Sequence, residues 1–245
     1  MRYILSAGRT GTVFLSHLIN ECLDGVHAAH EPGYSRYQMM LANLRNDWGI
    51  GGGLLSRVFE SSRAPRERAA AGIYVEINPF LCPMTDLLPK AGTELRIVHL
   101  VRDPASWATS IATFKASTRF RHLIDAIPFA KPFPSPRPPG WSKFSDYERA
   151  LWRWNWCNSR ISALQPMAEA YGIIRFEDLV STNHAIREAA LDKIAGTLAL
   201  PGKLRLPADE RMLPTNPSSA VETAPDYAAA KRISGQMARR YGYDY

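Results

Sequence analysis

The residues best suited to chemistry form a short loop near the start of the chain. The loop contains Gly8, Arg9, Thr10, Gly11 and Thr12. An apolar stretch precedes it and apolar residues at helical spacing follow it, so the pattern predicts a strand, a loop and a helix. Such a junction aims backbone N–H groups at one point beside the positive end of the helix dipole, where phosphate or sulfate binds readily. The loop is therefore either an anion site or an ordinary tight turn.

A second junction of the same kind lies further along the chain. Arg102 follows the most apolar segment, residues 95–101, and Ser110 comes eight residues later in a helix predicted to begin at Pro104. In open α/β sheets, ligands bind at the carboxyl ends of the strands. Both loops are therefore expected to present anion-binding groups at the same edge of one sheet.

The first loop departs from the Walker A motif, which requires a lysine and then a serine or threonine after its last glycine. Here Arg9 precedes the second glycine, and no lysine follows Gly11. The departure disfavours Mg²⁺-dependent triphosphate chemistry. A P-loop-type small-molecule kinase stays as an alternative, as does a non-catalytic protein that binds a nucleotide or another anion.

Taken in order, the two loops resemble the two signature segments of the sulfotransferases that use 3′-phosphoadenosine 5′-phosphosulfate (PAPS), in particular the bacterial type. In that family the first loop, here Gly8 to Thr12, binds the 5′-phosphosulfate. The arginine and serine of the second segment, here Arg102 and Ser110, bind the 3′-phosphate. The resemblance implies a P-loop-like fold, PAPS as the donor and PAP as the product. No metal is required, because a sulfuryl group carries less negative charge than a phosphoryl group.

The resemblance also implies a mechanism. Sulfuryl transfer is similar to phosphoryl transfer, in which positioning and charge stabilisation matter most. Arg9 would stabilise the charge that develops on the departing 5′-phosphate. An acceptor hydroxyl or amine would lose its proton to a general base. Glu31 is the first candidate for this base and His30 the second, whereas the alternative for Glu31 is a surface carboxylate at a turn.

The C-terminal part of the chain fits the family less closely. Residues 175–179 and 241–243 are similar to later segments of family members, but the lysine- and glycine-rich cofactor segment of the cytosolic small-molecule branch is absent. That branch also has lysine where this chain has Arg9. Three basic residues are candidates for closing over the adenosine and the 3′-phosphate: Arg205, Arg211 and Lys231.

Strand-like segments alternate with helical ones along residues 1–245, which predicts a single α/β domain. We expect three αβα layers around a mainly parallel sheet. Residues 117–144 combine six prolines with basic residues and are predicted to form a lid-like insertion that selects the acceptor. A long helix is predicted over residues 146–171, with the Trp152 and Trp156 side chains on its buried face. His99 is expected to be a packed core histidine.

The composition limits the partners. The 245 residues carry a formal net charge of +7, which suits an anionic ligand as well as nucleic acid. The basic residues are scattered, so nucleic acid is the weaker alternative, and the acceptor is expected to be a small molecule, a carbohydrate or a peptide. The three cysteines form no CxxC pair, and the sequence shows neither a signal peptide nor an apolar run of about 18 residues. A cytoplasmic protein without a transmembrane segment is the expectation.

Overall fold

A five-stranded parallel sheet forms the middle layer of the computed structural model, which describes residues 1–69, 72–89, 94–112, 127, 129–206 and 224–245. The strands are β1 (Arg2–Ser6), β2 (Val26–His30), β3 (Ile73–Ile77), β4 (Arg96–Val101) and β5 (Ala170–Arg175). Their order across the sheet is β2-β3-β1-β4-β5, and every neighbouring pair is parallel. The predicted α/β class with a parallel central sheet is confirmed.

Helices cover both faces of this sheet. The α-helices are α1 (Thr12–Cys22), α2 (Ser35–Trp48), α3 (Gly52–Ala69), α4 (Pro104–Ala112), α5 (Asp146–Ser162), α6 (Phe176–Leu179), α7 (His184–Thr197) and α8 (Tyr227–Arg239). Three 3₁₀ segments complete the described part of the chain: Pro79–Leu87, Trp141–Lys143 and Gln165–Met167.

Two apolar cores lie on opposite faces of the sheet, as the alternation of side chains along a strand requires. In β1, Tyr3 and Leu5 enter the core that α2, α3, α4, α5 and α8 cover. Ile4, between them, enters the core that α1, α6 and α7 cover. The central strands β1 and β4 are therefore buried on both faces, which explains their nearly continuous apolar sequences.

The strand order places the two predicted anion loops side by side. Ser6 at the end of β1 pairs with Leu100 near the end of β4. The chain leaves β1 towards β2 at one edge of the sheet and leaves β4 towards β5 at the other edge. Adjacent strands whose connections diverge in this way form the crevice in which open α/β sheets bind ligands.

Two sequence-based expectations about α5 are wrong. The helix ends at Ser162, well before residue 171, because Pro166 cannot continue it, and Ala170 and Tyr171 belong to β5, where they pair with β4. Trp154 is fully buried, whereas Trp152 and Trp156 are only partly buried. The buried face of the helix is formed by residues at three- and four-residue spacing, such as Ala150, Trp154 and Cys157. The prediction was wrong because it considered only the tryptophans.

The predicted insertion over residues 117–144 lies partly outside the described residues, which omit 113–126 and 128. Within its described part, Pro134, Pro136 and Pro138 line a cavity of about 360 Å³ beside α5 and α8. The lid role of this segment and its selection of an acceptor stay predictions.

Candidate functional site

The first loop has a backbone conformation that favours glycine. Gly8 and Gly11 have φ values of 89° and 75°, and Arg9 between them has a φ of 56°. Gly11 is the N-cap residue of α1, and no side chain caps the helix there. Because glycine adopts positive φ without a steric penalty, Gly8 and Gly11 allow the chain to turn tightly into the helix. The loop thereby places the N-terminus of α1 at the carboxyl edge of the sheet.

The carbonyl groups of this loop accept hydrogen bonds from neighbouring elements. The Ala7 carbonyl accepts from Arg153 Nη2 at 3.1 Å, and the Gly8 carbonyl accepts from Trp107 Nε1 at 2.6 Å. The Arg9 carbonyl accepts from Arg102 Nη1 at 3.2 Å. Three successive carbonyls are thus fixed by donors of α4, α5 and the β4–α4 loop, which holds the loop in one shape.

Arg9 also contacts the second predicted segment through its side chain. Its Nε donates to Ser110 Oγ at 3.3 Å. The Arg102 guanidinium lies 4.8 Å from the centre of the Phe176 ring. The structure therefore brings together Arg9, Arg102 and Ser110, which the sequence predicted to bind the two ends of one ligand.

The β4–α4 loop is held by the C-terminal part of the chain. Glu177 accepts the Asp103 N–H at 2.9 Å through Oε1 and the Tyr243 hydroxyl at 2.7 Å through Oε2. The Tyr245 hydroxyl donates to Asp103 Oδ2. Burial, with the nearby Glu177, raises the pKa of Tyr243, so this hydroxyl stays a donor. The two later segments that resemble the family, residues 175–179 and 241–243, thus support the loop that carries Arg102.

His30 is the last residue of β2 and Glu31 follows it, at the same edge of the sheet. His30 Nε2 lies 3.0 Å from Thr12 Oγ1 and 3.9 Å from Glu31 Oε1. Partial burial raises the pKa of Glu31, while Arg36 and Arg153 act in the opposite direction. Burial, followed by the charge of His17, lowers the pKa of His30. The neutral imidazole of His30 therefore lies between Thr12, in the first turn of α1, and the Glu31 carboxylate, whose basicity is increased.

Sequence reasoning missed Arg153. This residue of α5 donates to the Ala7 carbonyl, packs with its guanidinium 5.6 Å from the Trp107 ring centre, and acts electrostatically on Glu31. Its position between the buried Ala150 and Cys157, at three- and four-residue spacing, was a usable signal. An arginine on the inner face of an amphipathic helix indicates a buried partner.

Of the basic residues predicted to close over the adenosine, Arg205 lies away from this edge. Arg205 forms an ion pair with Glu188 at 3.2 Å, and its carbonyl accepts from Cys22 at the far end of α1. Lys231 is exposed on α8, and Arg211 lies outside the described residues. The prediction for Arg205 was wrong because nothing in its sequence context marked which end of α1 it would reach.

Two classes of feature are absent from the described part of the chain. No group of three or more His, Cys, Asp or Glu side chains there could hold a metal ion. No helix within those residues is sufficiently long and apolar to cross a membrane.

The comparisons with known proteins concern the fold. The solved structure of a sulfotransferase domain from the curacin biosynthetic pathway superposes with a TM-score of 0.57, and the match covers 100% of this chain and 98% of that one. The chain has the fold of that domain. The sequences are 14% identical, so this comparison shows a likeness of fold alone. No protein-family model matches the sequence, and no curated protein matches it.

Proposed function

We propose that this protein is a sulfotransferase that transfers the sulfuryl group of PAPS to a hydroxyl or amine of its acceptor. The observation that carries the proposal is the junction of the two anion loops. Arg9 Nε contacts Ser110 Oγ at 3.3 Å, and Arg102 donates to the Arg9 carbonyl at 3.2 Å. The fold shared with a sulfotransferase domain supports the same conclusion.

The residues at this junction fit a donor with two anionic ends. Thr10 Oγ1 is buried and has no hydrogen-bond partner among the described residues, as expected of a hydroxyl that awaits a ligand. In the proposed complex, the loop from Gly8 to Thr12 binds the 5′ end, and Arg102 and Ser110 bind the 3′-phosphate. PAPS supplies an activated sulfuryl group whose leaving group is the 5′-phosphate of PAP.

The protein's own residues then bind charge and move one proton. Arg9 provides a fixed positive charge beside the 5′ end, where negative charge grows during transfer. Glu31 accepts the acceptor proton, and its raised pKa brings its basicity closer to the working pH. His30 is the alternative base, but its hydrogen-bonding contact with Thr12 gives it a positioning role as well.

The remaining parts of the proposal follow from the sequence. We infer one domain over residues 1–245, a cytoplasmic location consistent with three free cysteines, a metal-independent reaction and an acceptor other than nucleic acid. The fold leaves the class of acceptor open among small molecules, carbohydrates and peptides, so the assay must sample all three.

A donor assay tests the proposal. PAPS is supplied in EDTA with a phenol, a monosaccharide and a tyrosine-containing peptide, and ATP with Mg²⁺ is the control donor. We expect transfer from PAPS in EDTA and none from ATP. The Glu31→Gln variant should lose at least about 100-fold in turnover while its affinity for PAP stays unchanged. His30→Gln serves as the comparison and should retain more activity.

Two results would contradict this account. Phosphoryl transfer from ATP, without sulfuryl transfer from PAPS, would establish the kinase alternative. Turnover of Glu31→Gln close to that of the wild-type protein would remove Glu31 from the role of general base while leaving the donor assignment intact.

A further inference from the structure

A buried polar cluster lies beneath the turn that carries Glu31. Arg63 Nη2 donates to Glu76 Oε1 at 2.6 Å, and Asn78 Nδ2 donates to the same oxygen at 2.8 Å. The Arg63 and Glu76 side chains are only 2% and 1% exposed. A buried ion pair is costly to desolvate, and apolar residues of similar volume often stabilise a fold equally well. The cluster is therefore expected to contribute something other than stability.

The cluster is connected through Ser35 to the Pro32 carbonyl, on the C-terminal side of Glu31. Asn78 Nδ2 also donates to Ser35 Oγ at 2.8 Å, and Ser35 Oγ donates to the Pro32 carbonyl. Ser35 is buried at the start of α2, its hydrogen bond from Asn78 is buried, and its hydrogen bond to Pro32 is partly buried. An unbroken series of hydrogen bonds thus runs from Arg63 to Pro32, the residue that follows Glu31.

The same elements hold the turn from its amide side. The Glu31 N–H donates to the Ile77 carbonyl at 3.0 Å. Ile77 is the last residue of β3 and stands between Glu76 and Asn78, two members of the cluster. The backbone on both sides of Glu31 is consequently fixed to one short segment of the chain.

The conformation of Glu31 explains why such support is needed. Its φ of 43° lies in the left-handed region, which residues with a β-carbon rarely adopt. A following proline steers the preceding residue towards extended conformations, which adds to the penalty. Strained residues of this kind persist only where the surrounding structure determines them, and they concentrate at functional sites.

We propose that Ser35, Asn78 and Glu76 are positioning residues that hold Glu31 in this strained conformation and thereby aim its carboxylate at the acceptor. The inference rests on the proposed function, because it assigns a task to the cluster only if Glu31 is the general base. Ser35 is the residue to test, since it joins the cluster to the turn through a single hydroxyl.

The experiment compares Ser35→Ala with Ser35→Thr, which keeps the hydroxyl, and with Ser234→Ala, which removes a buried hydroxyl from the core against α5. Hydrogen exchange of the Glu31 amide is measured in each protein. We expect exchange at least about tenfold faster in Ser35→Ala only, with the amides of the first loop unchanged. If Ser35→Ala does not fold, Ser35→Cys replaces it, since a thiol fills the space of the hydroxyl but is only a weak hydrogen-bond donor.

Turnover is measured in parallel, with PAPS and the acceptor from the three-member panel that the wild-type protein uses fastest. Ser35→Ala should lower kcat about tenfold and leave the PAP affinity unchanged. In the Glu31→Gln background, the same substitution should lower the residual turnover no further, because it acts through Glu31. A merely structural role would reduce turnover equally in both backgrounds.

The outcomes separate the two proposals. Unchanged exchange at Glu31 in Ser35→Ala, or an equal loss of turnover in both backgrounds, would overturn the positioning inference while leaving the sulfotransferase assignment intact. Absence of transfer from PAPS by the wild-type protein would overturn the proposed function. Faster exchange confined to Ser35→Ala would still support the contact between the cluster and the turn.

Discussion

His99 is neutral in the folded protein, and this state should make stability fall between pH 7 and pH 5. The ring is fully buried in β4. Its Nε2 lies 2.8 Å from Asn158 Oδ1, and its Nδ1 lies 2.7 Å from the Tyr171 hydroxyl. Because Asn158 Nδ2 donates to the Trp154 carbonyl, the amide oxygen faces His99 and the imidazole proton belongs on Nε2. Both ring nitrogens are then satisfied without a charge.

The size of the effect follows from the two protonation equilibria. Burial lowers the pKa of His99 from 6.5 to about 4. The neutral ring therefore contributes stability that is present above the pKa of the unfolded chain and is lost as the pH falls towards that of the folded state. At pH 5 the unfolded chain is protonated at this position and the folded chain is not, so the loss relative to pH 7 is about 2 kcal/mol.

Urea unfolding at both pH values measures this loss. The comparison variant is His99→Gln, which keeps a donor and an acceptor but cannot titrate. It will be less stable than the wild-type protein throughout, so only the change with pH is compared. The wild-type protein should lose about 2 kcal/mol more than the variant, since the other five histidines cancel in the difference. An equal loss in the two proteins would refute the assignment of a neutral, buried His99.

Further predictions concern the first loop and the general base. Gly11→Ala should cost about 1–2 kcal/mol of stability and weaken PAP binding, because its φ is 75° and a new β-carbon would lie 3.3 Å from Phe176 Cε2. Gly53→Ala, in an open helical position, should leave PAP binding unchanged, and calorimetry that shows equal effects would contradict the loop geometry. The acid limb of turnover should lie above the ordinary carboxyl pKa, since burial raises the pKa of Glu31. Arg153→Met should move that limb to higher pH, because it removes a charge that lowers the pKa; a pH–rate profile with an unmoved or lowered limb would exclude the contact.

The ends of β1 and β2 were predictable from the sequence because turn-forming residues mark them. In the structure, β1 ends shortly before the glycine-containing loop and β2 ends directly before a Glu-Pro pair, so both strand ends coincide with turn-forming residues in the sequence. The end of α5 was also marked in the sequence, because Pro166 cannot continue an α-helix, and the prediction overlooked it. The start of β5 has no such signal, and pairing with β4 draws Ala170 and Tyr171 into the sheet.

In the candidate site, some residues were likewise predictable from local sequence and others were not. Arg9 follows β1 in the sequence, and Arg102 and Ser110 follow β4. Because β1 and β4 are parallel neighbours, the order and spacing of these residues were sufficient to predict that they lie at one edge of the sheet. Arg153 reaches the site from α5, and the cluster around Glu76 combines residues of β3, α2 and α3 that are distant in sequence. Their contribution depends on how α3 and α5 pack against the sheet, which is a tertiary property that local patterns do not encode.

The binding of PAP tests the central claim, that the two loops form one site for a nucleotide with a 3′-phosphate. Calorimetry without Mg²⁺ compares PAP with AMP and ATP in the wild-type protein, in Arg102→Ala, in Ser110→Ala and in the same-helix control Ser106→Ala. We expect the wild-type protein and the control to prefer PAP. The Arg102 and Ser110 variants should lose about tenfold or more in PAP affinity while AMP binding is unchanged. Equal binding of PAP and AMP by the wild-type protein would contradict the claim.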